Sequence, residues 1–105
     1  MEKSWKVMQN PKIGYDGNKR WYVNGKPHRL DGPAIEHKSG LKLWYVNGKK
    51  HRIDGPAIIF KDGSYAWFVN DIDVSGPLEL LKHGAKLEDI AEYLTPREIA
   101  LCRIL

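Results

Sequence analysis

The chain has 105 residues, 42% of them hydrophobic, which suits one small folded domain and leaves no room for two comfortable ones. Its single cysteine, Cys102, excludes an internal disulfide and lies in an apolar run, where a buried thiol acts as a small hydrophobic group. No segment is long and apolar enough to span a membrane, and the N-terminus lacks the apolar stretch of a signal peptide. A cytoplasmic protein is expected.

The formal net charge of +4 is unevenly distributed. Residues 10–66 carry eleven Lys or Arg against five Asp or Glu, whereas residues 67–105 carry four against seven. A basic surface over the first region fits nucleic acid, an acidic protein partner, or solubility alone.

The dominant feature is a repeat with a period of 23 residues. The segment Trp-Tyr-Val-Asn-Gly-Lys at 21–26 recurs at 44–49 and degenerates to Trp-Phe-Val-Asn-Asp at 67–71. The segment His-Arg-Leu-Asp-Gly-Pro-Ala-Ile at 28–35 returns at 51–58 with Ile in place of Leu. Only Gly-Pro survives in the last copy, after a two-residue deletion. The chain therefore contains half a unit, two full units and a truncated unit.

Two sets of turns divide each unit. The first set, Asp-Gly at 16–17 and 62–63 and Ser-Gly at 39–40, is predicted to form two-residue hairpin turns, and Asn-Gly pairs form the second set. The predicted strands cover residues 12–15, 19–23, 34–38, 41–46, 57–61 and 64–69. This pattern predicts an α+β fold, in which a meander of antiparallel β-hairpins in a single sheet carries a small C-terminal helical cap. The predicted division is a repeat region over residues 1–76 and a helical segment over residues 77–105.

Strand alternation places the tryptophans and valines of each unit on one face and the tyrosines or phenylalanine on the other. We assign the face with Trp21, Trp44 and Trp67 to the core. The face with Tyr22 and Tyr45 is expected to be partly exposed. No other feature of the sequence identifies the buried face, so the alternative is that the face with the tyrosines lies in the core.

The period changes after Val74. Pro77 suits the first position of a helix over residues 77–83, which Gly84 would end, and a second helix is predicted over residues 87–94. Thr95 and Glu98 have the spacing of a capping box for a last helix over residues 96–105. The three helices are expected to cover the end of the sheet. A helix-turn-helix is disfavoured by the one-residue connection before the last helix. A further interpretation of the last helix is that its apolar side chains form the interface of a homodimer.

The hairpin unit resembles the MORN-type repeat in its bacterial and phage variant, over roughly residues 11–77. The His-Arg-x-Asp-Gly-Pro-Ala extension is similar to repeats of tailed-phage proteins. This resemblance implies a sheet of hairpins and the role of a phage accessory protein that binds a protein of its host and modulates it. The unit departs from the usual MORN positions of glycine and aromatic residues, so lipid binding is not carried over.

The His-Arg-x-Asp clusters are the only constellation that invites a catalytic interpretation, with His as base and Asp to orient it. Because they recur in register with the turns, we interpret them as structural corners and expect no enzyme activity. The four histidines have no close ligand partner, so neither a metal nor another cofactor is expected.

We therefore predict a protein-binding module. The predicted partner-binding residues are Tyr22, His28, Arg29, Tyr45, His51 and Arg52. The alternative is RNA or single-stranded DNA bound by a basic strip with stacking tyrosines. The basic side chains of that strip are Lys19, Arg20, Lys26, Arg29, Lys49, Lys50 and Arg52.

Overall fold

The computed structural model describes residues 11–104; the predicted start of the repeat region and the last residue of the predicted final helix, Leu105, lie outside them. Antiparallel hairpins are followed by short helices, which confirms the predicted α+β class. The strands are β1 (Lys12–Ile13), β2 (Lys19–Arg20), β3 (Tyr22–Val23), β4 (Lys26–Pro27), β5 (Ile35–Glu36), β6 (Lys42–Leu43), β7 (Tyr45–Val46), β8 (Lys49–Lys50), β9 (Ile58–Ile59), β10 (Tyr65–Ala66), β11 (Phe68–Val69) and β12 (Ile72–Asp73). The helices are α1 (Pro77–Leu80), α2 (Leu87–Ile90) and α3 (Pro96–Ile104), with single 3-10 turns at Leu81–His83 and Ala91–Tyr93.

The main sheet has six strands in the order β1-β2-β5-β6-β9-β10, and every neighbouring pair is antiparallel. This sheet is the predicted meander of antiparallel hairpins, and the pairs β3–β4, β7–β8 and β11–β12 form two-stranded hairpins outside it. Three of the six predicted strands contain a tryptophan, and each of these three divides into two shorter strands at that residue. The Trp21 N–H still donates to the Ala34 carbonyl at 2.8 Å, but the next two residues pair with Lys26–Pro27 because the Asn-Gly turn folds the chain back on itself.

The hairpin tips of the main sheet contain three residues instead of the predicted two. In the first tip the Gly14 N–H donates to the Asn18 carbonyl at 3.1 Å, and the Gly17 N–H donates to the Gly14 carbonyl at 2.9 Å. Gly17 has a φ of +80°. A type I turn followed by a left-handed glycine has this pattern. The tips at 37–41 and 60–64 make the same two hydrogen bonds.

The second set of turns has two residues, as predicted. Asn24 and Gly25 both have positive φ, 52° and 79°, as a type I′ turn requires. The third unit has Asp71 in the glycine position, with a φ of 69°. Its carboxylate accepts a hydrogen bond from the Lys50 N–H at 2.8 Å, which offsets the cost of this conformation for a residue with a Cβ.

Register divides the main sheet into two faces, because directly paired residues of antiparallel strands share a face. The tryptophan face carries Trp21, Ala34, Trp44, Ala57 and Trp67, and both alanines are fully buried. Alternation puts Tyr22, Tyr45 and Phe68 on the opposite side, the tyrosine face, where all three are half-buried. Trp21 and Val69 are buried as predicted, whereas the other tryptophans and valines of the units are only half-buried.

The C-terminal helices pack against the third unit and form the hydrophobic core with it. Its buried members are Val69, Leu80, Ile90 and Leu94, and Ile53, Trp67 and Tyr93 are among the partly buried side chains around them. Full burial of a side chain such as Leu80 or Ile90 stabilises the fold by about 1.5–3 kcal/mol. This cluster covers the tryptophan face at one end of the repeat array.

Local signals in the sequence set the bounds of the helices. Pro77 lies in the first turn of α1, and Gly84 ends the following 3-10 turn with a φ of +102°. The predicted capping box is present, since the Glu98 N–H donates to Thr95 Oγ1 at 3.1 Å and the Thr95 N–H donates to Glu98 Oε1 at 2.8 Å. Cys102 is half-buried, so it fills the core less completely than predicted.

Candidate functional site: the corner groove

Each full unit has a corner, residues 28–34 or 51–57, in which an arginine covers the tryptophan of its own unit. Arg29 donates from Nε to Asp31 at 2.9 Å and from Nη1 to the Pro33 carbonyl at 3.1 Å. Its guanidinium lies 3.8 Å from the centre of the Trp21 ring, within the range of a cation–π contact. The corner is therefore held by an ion pair, a backbone hydrogen bond and a stacking contact.

The second corner repeats this geometry. Arg52 donates to Asp54 at 2.8 Å and to the Pro56 carbonyl at 3.0 Å, and it lies 4.0 Å above the Trp44 ring. A Cβ on Gly55 would stand 2.6 Å from the Arg52 guanidinium carbon. Any larger residue at position 55 would therefore displace the guanidinium from its present position. The ion pair between Arg and Asp is therefore present in both units.

The histidines join one unit to the next. Nδ1 of His28 accepts a hydrogen bond from the Asn47 N–H at 2.9 Å, and Nδ1 of His51 accepts one from the Asn70 N–H at 3.1 Å. Such an acceptor needs a lone pair, so Nδ1 of the imidazole carries no proton in this hydrogen bond. Burial lowers the pKa of His51 below its usual value, and the nearby His83 contributes in the same direction.

Between the two corners lies a groove of about 630 Å³, which we call the corner groove. Its lining residues are Arg29, Leu30, Asp31, Gly32, Trp44, Val46, His51, Arg52, Ile53, Asp54 and Asp89. Leu30 is 81% exposed, whereas its counterpart Ile53 packs against the hydrophobic core. The groove thus combines an exposed aliphatic side chain with an indole and two arginines of fixed position.

The charges of the groove are largely balanced. Arg29 contacts a second carboxylate, Glu36, at 3.2 Å in addition to Asp31, and Arg52 is paired with Asp54. Asp89 adds a carboxylate from α2. The corner arginines are therefore less suited to bind phosphate than their sequence pattern indicates.

The predicted partner-binding residues do not form one surface. Arg29, His51 and Arg52 line the corner groove, and His28 lies at the junction of the first two units. Tyr22 and Tyr45 lie on the opposite side, the tyrosine face. Sequence reasoning missed Leu30 and Asp89. Leu30 occupies the same repeat position as Ile53, which packs against the core, so no local signal separates the two.

Within residues 11–104 no group of three or more His, Cys, Asp or Glu side chains is arranged to hold a metal ion. No described helix is long and apolar enough to cross a membrane. No protein-family model, curated protein or solved structure matches the chain.

Proposed function

We propose that this chain is a non-enzymatic protein-binding module whose partner occupies the corner groove. The observation that carries this proposal is the exposure of Leu30 beside Trp44 in a groove that two fixed arginines line. Tryptophan and arginine are enriched among the residues that dominate binding energy at protein interfaces. Because Asp and backbone carbonyls already hold both arginines, their ordering adds little entropic cost on binding.

The resemblance to MORN-like repeats of tailed-phage proteins supports a more specific role. On that basis we propose a phage accessory protein that acts in the cytoplasm of the host and modulates one host protein. The hairpin meander is consistent with a repeat of this type. The resemblance alone supports the phage origin and the host target.

The test uses Leu30→Glu, because this side chain is exposed and supports no corner. Ile72→Glu is the matched control, since Ile72 is a 68% exposed aliphatic residue outside the groove. A protein captured from bacterial lysate by the unmodified chain is identified, and its Kd is then measured for all three proteins. We expect at least a tenfold loss for Leu30→Glu and no change for Ile72→Glu. An unchanged affinity for Leu30→Glu would exclude the corner groove as the binding surface.

A second candidate function is binding of RNA or single-stranded DNA. It is favoured by exposed lysines at equivalent positions of successive units, namely Lys19 with Lys42 and Lys26 with Lys49. Binding of this kind weakens steeply as salt rises, because phosphate neutralisation releases counterions. A mobility-shift assay with a mixed single-stranded oligonucleotide at low salt tests it. The absence of a shift there would rule out this candidate.

A further inference from the structure

A second groove lies on the tyrosine-face side of the main sheet, between the second and third hairpin tips. This tip groove has a volume of about 540 Å³. Its lining residues are Ser39, Leu41, Phe60, Lys61, Asp62 and Ser64. None of them belongs to the corner groove, so an inference about this site does not depend on the function proposed above.

The equivalent space one unit upstream, between the first and second hairpin tips, is filled by a side chain of the protein itself. We call this space the first gap and the space that forms the tip groove the second gap. Asn18 is only 7% exposed, and its Oδ1 accepts a hydrogen bond from the Lys38 N–H at 3.0 Å. Its Nδ2 lies 3.1 Å from Nδ1 of His37. The first gap is therefore closed by an amide that satisfies a backbone donor of the next tip.

Register makes the two gaps directly comparable. Lys19 pairs with Glu36, which puts Asn18 opposite His37, and Lys42 pairs with Ile59, which puts Leu41 opposite Phe60 in the same way. The second gap thus has an apolar pair where the first has an amide and an imidazole. Phe60 is 40% exposed.

The second gap has the same backbone N–H donor as the first. The Lys61 N–H corresponds to the Lys38 N–H, and within residues 11–104 no protein acceptor takes the place of the Asn18 amide oxygen. Leucine offers no such oxygen. The tip groove therefore combines one N–H donor with two apolar side chains, and a ligand complementary to both has an acceptor oxygen with an apolar group attached.

We propose that the tip groove binds an extended peptide segment through one aliphatic residue. The carbonyl oxygen of that residue accepts the hydrogen bond of the Lys61 N–H, as the Asn18 amide does for Lys38 one unit upstream. Its side chain packs between Leu41 and Phe60. A main-chain carbonyl next to a branched aliphatic side chain is the chemistry that completes both halves of this site.

The test is a titration of the ¹⁵N-labelled full chain with N-acetyl-L-leucine N′-methylamide, followed by backbone amide shifts. We expect saturable shifts centred on Leu41, Lys61 and Ser64, with the Lys61 amide proton moving downfield. The glycine analogue of the probe should bind at least fivefold more weakly, since it lacks the aliphatic group. Shifts that do not saturate, or equal affinity for both probes, would overturn the proposal.

One pair of variants and one double variant isolate the two halves of the site. Lys61→Pro removes the N–H donor at the second position of a type I turn, where proline is favoured, and Lys61→Ala keeps the donor. We expect about a fivefold loss of affinity for Lys61→Pro relative to Lys61→Ala, the usual effect of one neutral hydrogen bond. Equal affinities of these two variants would exclude the Lys61 N–H as the donor.

The double change Leu41→Asn with Phe60→His copies the first gap into the second. It should abolish saturable binding, and a retained native amide spectrum shows that the variant is folded. If this variant binds the leucine probe as tightly as the unmodified chain does, the tip groove is not the binding site. If it fails to fold, the Lys61 pair still decides the question, because neither of its members alters the apolar side chains.

Discussion

The Asn70 N–H donates a hydrogen bond to Nδ1 of His51 across the junction between the second and third units, at 3.1 Å. A protonated Nδ1 cannot accept this bond. The junction therefore depends on the neutral form of one imidazole, and burial already favours that form by lowering the pKa of His51.

This relationship predicts that the free energy of unfolding falls in mild acid. The folded-state pKa lies below the unfolded value of about 6.5, so the unfolded chain binds more protons between the two. The stabilisation is complete above about pH 6.5 and is lost as the pH falls from there through the folded-state pKa. Urea unfolding at several pH values checks this. His51→Asn keeps an acceptor oxygen near the Nδ1 position without titrating, so it should flatten the profile; an equal fall in this variant would contradict the assignment.

The contact between Gly55 and Arg52 predicts a non-additive pair. Gly55→Ala should lower the free energy of unfolding by about 2 kcal/mol, because the new Cβ displaces the guanidinium from its charge-assisted hydrogen bonds. Arg52→Ala should cost a similar amount. In the double variant the cost of the Gly55 change should nearly disappear, since the clashing group is gone. Denaturant unfolding of the four proteins measures the coupling, and additive costs would show that the clash is relieved elsewhere.

The turn at Asn70 and Asp71 predicts that two substitutions at position 71 destabilise the protein by different amounts. Asp71→Ala keeps the strained positive φ and loses the hydrogen bond to the Lys50 N–H, so it should destabilise by about 2 kcal/mol. Asp71→Gly loses the same bond but relieves the strain, which should reduce the cost to less than half. Thermal and urea unfolding compare the two variants. A cost for glycine as large as that for alanine would mean that backbone strain is not a factor.

The capping box of α3 predicts a local stability effect. Thr95→Ala removes the acceptor of the Glu98 N–H and should cost about 1 kcal/mol. Thr95→Ser keeps the hydroxyl and serves as the control. Urea unfolding measures both, and helical circular dichroism should decrease only for the alanine variant. If serine and alanine are equally destabilising, the methyl group and not the hydroxyl is what the site requires.

The exposed apolar residues of α3 test the prediction of a homodimer through the last helix. Leu101 is 55% exposed and Ile104 is 78% exposed. If a second copy covers them, changing both to serine should convert a dimer into a monomer in sedimentation equilibrium without loss of the folded spectrum. A monomer for the unmodified chain over the micromolar range would exclude this interface.

The turns and the helix bounds were predictable because they depend on neighbouring residues. Positive φ at Asn24 and Gly25, the stop at Gly84 and the reciprocal bonds of Thr95 and Glu98 all arise within a few residues of sequence. The length of the hairpin tips was predicted one residue too short. The same Asp-Gly signal suits a two-residue and a three-residue loop, and the pairing of the adjacent strands selects between them.

The repeat itself therefore determined the hairpin meander and the interpretation of the His-Arg-x-Asp clusters as corners, because identical segments in register adopt identical local structure. Only the tertiary structure determined which residues at the same repeat position differ in burial. Leu30 and Ile53 hold the same repeat position, yet one is exposed in the corner groove and the other packs against the helices. The physical reason is that burial depends on what lies beside each unit, and a unit has different neighbours at each end of the array.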